Sequence, residues 1–238
     1  MKNRLIKTLN IKRFKLVLLL EGLLVGILAG LVIVGYRICL TNGALWLQRI
    51  LAYCKQSIFT IIIWFVILFV IALVVTKLLD WESLISGSGI PQLEGELAGK
   101  IDAKWWRVLI AKFFGGFLAN FSGLALGREG PSIQLGAMVG KGIGKVLKRG
   151  KTEERYLLTC GASAGLAAAF HAPLAGVMFA LEEVHKHFSA PLLISVMTSS
   201  IAADYLMSSI LGMAPVFSFN IHGTLPTQYY WMVIILGI

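Results

Sequence analysis

Apolar residues in this chain do not alternate with polar ones. They run together, in stretches broken by glycine and proline. Residues 17–36, 58–79 and 191–211 each come close to the ~20 apolar residues that a helix needs to cross hydrocarbon. Continuous runs exclude barrel strands, which need a period of two. The pattern predicts a basic segment at 1–15, then helices over 15–50 and 58–79. A break at 86–91 and a short segment at 92–99 follow. Further helices are predicted over 108–126, 132–147, 155–170, 174–185 and 191–211. Residues 213–228 form a loop, and 231–238 begin another apolar run too short to span. The expectation is one all-α integral membrane domain over 1–238. Its main unit covers about 16–212, and an incomplete second unit begins near 229–238.

Two sets of glycines recur every four residues: Gly22, Gly26 and Gly30, then Gly136, Gly140 and Gly144. Side-chain-free stripes of this kind let a neighbouring backbone approach closely.

Composition strengthens the membrane reading. The chain is 57% hydrophobic and only 14% charged, where soluble domains average about 25% charged; mean hydropathy is +0.80. The net charge of +10 could point to nucleic acid, but its distribution argues otherwise. Lys2, Arg4, Lys7, Lys12, Arg13 and Lys15 precede the first span, and Lys141, Lys145, Lys148, Arg149, Lys151 and Arg155 form a second cluster. Both flank apolar segments, as the positive-inside bias places cytoplasmic loops, so the N-terminus is expected in the cytoplasm. Trp105 and Trp106, beside Lys100, Lys104 and Arg107, fit an interfacial anchor. The 213–228 loop has no lysine or arginine and is expected outside. The first run is too long for a signal peptide and lacks a cleavage site, so it is expected to be retained.

Cys39, Cys54 and Cys160 are isolated, without metal spacing, and are expected to pack as small apolar groups. No nucleophile triad, H-E-x-x-H or Gly-x-Ser-x-Gly signature is present, so no enzyme and no cofactor is expected.

The candidate chemistry lies at two matched breaks. Gly87-Ser88-Gly89-Ile90-Pro91 and Gly127-Arg128-Glu129-Gly130-Pro131 each place proline four residues after glycine, at the start of a helix. Proline suits a first helical turn, whose N–H groups have no intrahelical partner. A helix start carries about half a positive charge, so two such starts inside a membrane make an anion site without full cations. Irregular backbone at membrane depth persists only where it is buried in protein or lines a cavity. Glu129 stands at the second start. A carboxylate there can occupy the anion position, compete with the anion, and leave when protonated. The bland alternative is a helix-capping carboxylate.

GSGIPQ at 87–92, GREGPSIQ at 127–134 and GLAAAFHAPLAGVMFALEE at 165–183 closely resemble signature segments of the CLC family of chloride channels and chloride/proton antiporters. The resemblance implies a bundle of tilted and broken helices, assembled as a homodimer with one pore per subunit. Each subunit holds two inverted repeats, and this chain corresponds to the first repeat and the start of the second. It implies that Ser88 contributes a chloride-coordinating hydroxyl, with Gly89 and Ile90 beside it. It further implies that the backbone around Arg128 and Gly130 supplies outer anion ligands, Glu129 is an external gate, and Glu183 is an internal proton carrier. The transported species would be chloride and protons. Channel members usually lack an acid at the position of Glu183, so a gated channel is the nearest alternative; a half-chain that pairs with full-length subunits without transporting is another. The Gly-x-Phe-x-Pro helix start and the chloride-binding tyrosine of the family's second half have no counterpart here. His171 replaces a common asparagine and is expected to pack or to bond to backbone, not to hold metal.

Overall fold

The computed structural model describes residues 2–55, 57–186, 188–213 and 226–236, and every regular element among them is helical. In chain order these are α1 (Lys2–Cys54), α2 (Ile58–Trp81), α3 (Ile90–Leu97), α4 (Trp105–Phe121), α5 (Glu129–Val146), α6 (Lys151–Phe170), α7 (Pro173–Phe179), α8 (Ala190–Leu211) and α9 (Tyr230–Leu236). Single-turn 3-10 segments precede α3 and α9.

Several boundaries differ from expectation for physical reasons. The basic segment is not a separate element, because α1 runs through it without a break. Helix α5 starts at Glu129, three residues earlier than predicted, because Pro131 fits within a first turn. The predicted 174–185 helix is α7 followed by a π-helical turn, Ala180–His185. The predicted loop at 213–228 lies mostly outside the described residues.

The centre of the bundle is the antiparallel pair α5 and α6. A methyl group added at Gly136 would fall 2.2 Å from the Gly161 carbonyl oxygen, and one at Gly161 only 2.0 Å from the Gly136 oxygen. Gly140 against Leu157 and Gly165 against Ser132 repeat this contact at 2.0 and 2.2 Å. Only hydrogen fits there, so the glycine stripe sets how close the two helices lie.

Helix α1 runs parallel to α8, and its stripe Gly22, Gly26, Gly30 meets Ser195, Ser199 and Ala203 in register. Small hydroxyls complete the seam. Ser195 donates to the Leu18 carbonyl at 2.9 Å, and Ser199 to the Cys160 carbonyl at 3.0 Å. Ser163 and Ser200 share a further bond between hydroxyls. In hydrocarbon, such small polar contacts stand in for the hydrophobic drive that is absent between lipid-solvated helices.

Among the described residues, three helices are long and apolar enough to cross a bilayer: the Lys15–Cys54 part of α1, α2 and α8. Within α2 only Trp64 is buried, and the other faces present isoleucine, valine and phenylalanine outward. Helices α5 and α6 are less apolar but buried among their neighbours.

One expectation is corrected in the core. Lys141 does not belong to a solvated basic loop; its side chain is fully buried. Its ammonium donates to Glu96, to Asp102 at 2.7 Å and to the Ala103 carbonyl at 2.7 Å. Glu96 also accepts the Ala103 amide at 2.7 Å. Three donors meet three acceptors, and this pins the end of α3 to the middle of α5. Arg149, in the α5–α6 turn, likewise grips the buried Glu21 of α1.

Candidate anion site

The two motif breaks, forty residues apart in sequence, meet in space. A methyl group at Gly130 would lie 2.7 Å from the Ser88 carbonyl oxygen and 3.0 Å from its Cα. Gly89 caps α3 with φ +90, a left-handed conformation that L side chains rarely adopt. It also abuts Gln134 in the second turn of α5. Both helix starts therefore open on one cavity of about 420 Å³, walled by Ser86, Gly87, Ser88, Lys112, Gly127 and Gly130.

The donors are set by this geometry. The first-turn amides of α3 and α5 have no partner within their own helices. Ser88 Oγ accepts the Ile90 amide at 3.4 Å, which leaves its O–H free to donate elsewhere. Glu129 stands in the first turn of α5, and its carboxylate folds back over Gly127; a methyl group there would be 2.8 Å from Oε2. Glu129 has no hydrogen-bond or ion-pair partner among the described residues, so it is not the capping carboxylate of the bland alternative. Ser88, Gly89, Ile90, Arg128, Glu129 and Gly130 are thus brought together.

Lys112 was missed by motif reasoning. It is buried in α4 and donates to the carbonyls of Ile85 at 2.8 Å and Gly87 at 2.7 Å. The prediction of a site without full cations is corrected here, because an ammonium lies in the cavity wall. Two carbonyls already engage it, so it braces the loop ahead of Ser88. The available signal was a lone lysine inside an apolar 17-residue helix. Gln134 and Gln92 brace the same loop through Leu84 O at 2.8 Å and Ser86 O at 2.9 Å.

Glu183 is not part of this cluster. It is exposed in the π-helical turn, whose next residues tie to α6 and α3: His185 Nδ1 meets Thr159 Oγ1 at 2.9 Å, and Lys186 pairs with Glu94 at 3.3 Å.

His171 caps α6 with φ 55. Arg37 donates to its Nε2 at 3.1 Å, which leaves Nδ1–H to meet Asp204 at 3.2 Å, with Ser208 nearby at 3.3 Å. The expected packing or backbone contact is replaced by a side-chain relay joining α1, α6 and α8. His171→Leu is expected to cost about 1–3 kcal/mol by stranding Arg37 and Asp204. A thermal melt in detergent checks this, and an unchanged midpoint would dismiss the relay as a stabilising element.

Residues 69–238 match the family model described as "Voltage gated chloride channel". The chain is 35% identical to the H(+)/Cl(-) exchange transporter ClcA of Citrobacter koseri, over 93% of this chain and 48% of the relative. It is 46% identical to ClcA of Vibrio cholerae over 53% of this chain and 28% of the relative. Among solved structures, a slow cyanobacterial Cl-/H+ antiporter superposes with TM-score 0.78 at 33% identity, covering 92% of this chain and 53% of that one. A eukaryotic CLC transporter shares the fold at TM-score 0.71 and 21% identity, over 93% of this chain and 41% of that one. The chain spans about half the length of the curated relatives that it matches most fully. With two glycine-proline helix starts on one cavity and the family model covering most of its length, this multi-pass membrane chain belongs to the voltage gated chloride channel family, the CLC family.

Proposed function

We propose that this chain builds one half of the pathway of a chloride/proton exchanger, with Ser88 and the amides around Gly89, Ile90, Arg128 and Gly130 as anion ligands. The observation that carries this is the seating of Gly130 on Ser88, which aims two helix starts into one cavity. Backbone dipoles and a hydroxyl bind an anion without holding it too tightly, and the Lys112 ammonium in the same wall is already engaged by two carbonyls. The exchange activity of the ClcA relatives and the cyanobacterial antiporter agrees with this reading. Glu129 is the gate, since an unpartnered carboxylate beside the helix start competes with the anion when charged and withdraws when protonated. Glu183, exposed toward the end that carries the Lys145–Arg155 cluster, takes protons from that side. This reading puts the protein in the cell membrane as a homodimer, and the lysines and arginines ahead of the first span favour a cytoplasmic N-terminus.

The test is proton uptake driven by a chloride gradient in liposomes carrying the transport-competent protein. Glu129→Gln is expected to keep anion flux and lose proton movement, because an amide neither carries a proton nor mimics an anion. Glu183→Gln is expected to lose coupling while chloride still passes. Intact coupling in the Glu129 variant would overturn the exchanger mechanism; wild-type coupling in the Glu183 variant would favour a channel.

A further inference from the structure

The structure brings together basic residues that the sequence keeps fifty-five positions apart. Lys100, just past α3, and Arg155, in the first turns of α6, border one groove, and Lys186 borders it from the end of the π-helical turn. The contact is close: a methyl group at Gly99 would be 2.9 Å from Arg155 Nη2. Glu94 is the one acid of the lining, and it is engaged by Lys186 at 3.3 Å. Lys100 and Arg155 have no carboxylate partner among the described residues. Three fixed positive charges thus face one negative charge.

The groove holds about 960 Å³, at the upper end of the volumes of small-molecule sites. Its wall adds the hydroxyl residues Thr152 and Tyr156, and an apolar stretch of Pro91, Leu97 and Val184. A single halide would use little of this. Several separated cations, a planar guanidinium and neutral hydroxyl donors suit an anion with several oxygens spread over a tetrahedron. The apolar wall suits an organic portion joined to it.

We propose that this groove binds a phosphate-bearing ligand, either the headgroup of an anionic phospholipid or a soluble phosphate compound. The groove lies at the end of the bundle that carries the Lys145–Arg155 cluster, where the positive-inside bias places the cytoplasm. An occupant would bridge α3, whose other end presents Ser88, α6, and the turn that holds Glu183. Binding there clamps the inner ends of the elements that form the anion and proton sites, so occupancy regulates transport. This last step rests on the proposed function; the binding itself does not.

The experiment measures binding alone. The purified chain is titrated with inorganic pyrophosphate in detergent, with thermal stabilisation as the readout. In parallel it is placed in nanodiscs of phosphatidylcholine, with or without a phosphorylated phosphoinositide. The comparison is among wild type, Lys100→Gln/Arg155→Gln, and Lys145→Gln/Lys148→Gln, which removes equal charge outside the groove. All four side chains are at least partly exposed, and a circular dichroism melt without ligand verifies the fold. The groove variant is expected to lose affinity by at least about tenfold, and the control variant to keep it. Stabilisation by pyrophosphate supports a soluble ligand; stabilisation only by the phosphoinositide supports a lipid. Equal affinity in the groove variant and wild type, equal loss in both variants, or no response to either probe overturns the proposal.

Discussion

Lys141→Met is expected to cost about 3–5 kcal/mol, the size of effect seen when one partner of a buried ion pair is removed. The reason is what stays behind. Glu96 remains with its side chain only 8% exposed and without its cation, and the Ala103 carbonyl loses its donor. Glu96 pays for burial only while Lys141 faces it. Adding Glu96→Gln is expected to restore much of the loss, since the amide still accepts from Ala103 and no charge is stranded. A fluorescence-monitored melt of the two variants separates these outcomes, and a single variant as stable as wild type would refute the account. Acid should narrow the difference. The hydrogen bond from Lys141 holds the Asp102 carboxyl below its usual range. The stabilisation linked to Asp102 is therefore present above the ordinary carboxylate pKa and is lost as pH falls through the lowered value.

The second large effect is expected at the α5–α6 seam. Gly161→Leu places a side chain where a carbonyl oxygen lies 2.0 Å from its Cβ. Ordinary overpacking costs about 1–3 kcal/mol because neighbouring side chains can shift. Here the obstacle is backbone on a central helix, so the two helices must separate along their length. The expected result is failure to accumulate in the membrane. Gly35→Leu, where nothing lies within 4 Å of the added Cβ, is expected to be tolerated. Quantifying both variants in isolated membranes decides this; equal abundance would contradict the packing argument.

What the sequence revealed follows from what a linear pattern can carry. Long apolar runs and four-residue glycine spacing are local, so α1, α2, α8 and both glycine stripes were legible, as were the breaks at Pro91 and Pro131. Partners were not. Nothing along the chain says that Lys141 will meet Glu96 and Asp102, or that Arg37 and Asp204 will flank His171. Those pairings are set by which helices become neighbours. A cation among glycines reads as a loop residue until a second helix buries it. The start of α5 was misplaced because Glu129 and Gly130 look like a turn, yet they supply the first helical amides.

The length of α1 has a consequence for the membrane itself. The apolar part of α1, Lys15–Cys54, has 40 residues and so extends about 60 Å, against a hydrocarbon core of about 30 Å. Even a tilt of about 40°, at the steep end of the usual range, leaves it longer than the core. Helix α8, with 22 residues, fits the core nearly upright. The two pack in parallel from Leu18 against Ser195 to Gly30 against Ala203, and α1 continues past the end of α8. Helix α1 therefore reaches beyond the hydrocarbon at any tilt in that range, with exposed Trp46 and Tyr53 near its far end, where aromatic rings favour the headgroup layer. A thicker lipid sheet would still be spanned by α1 after α8 had become too short for it.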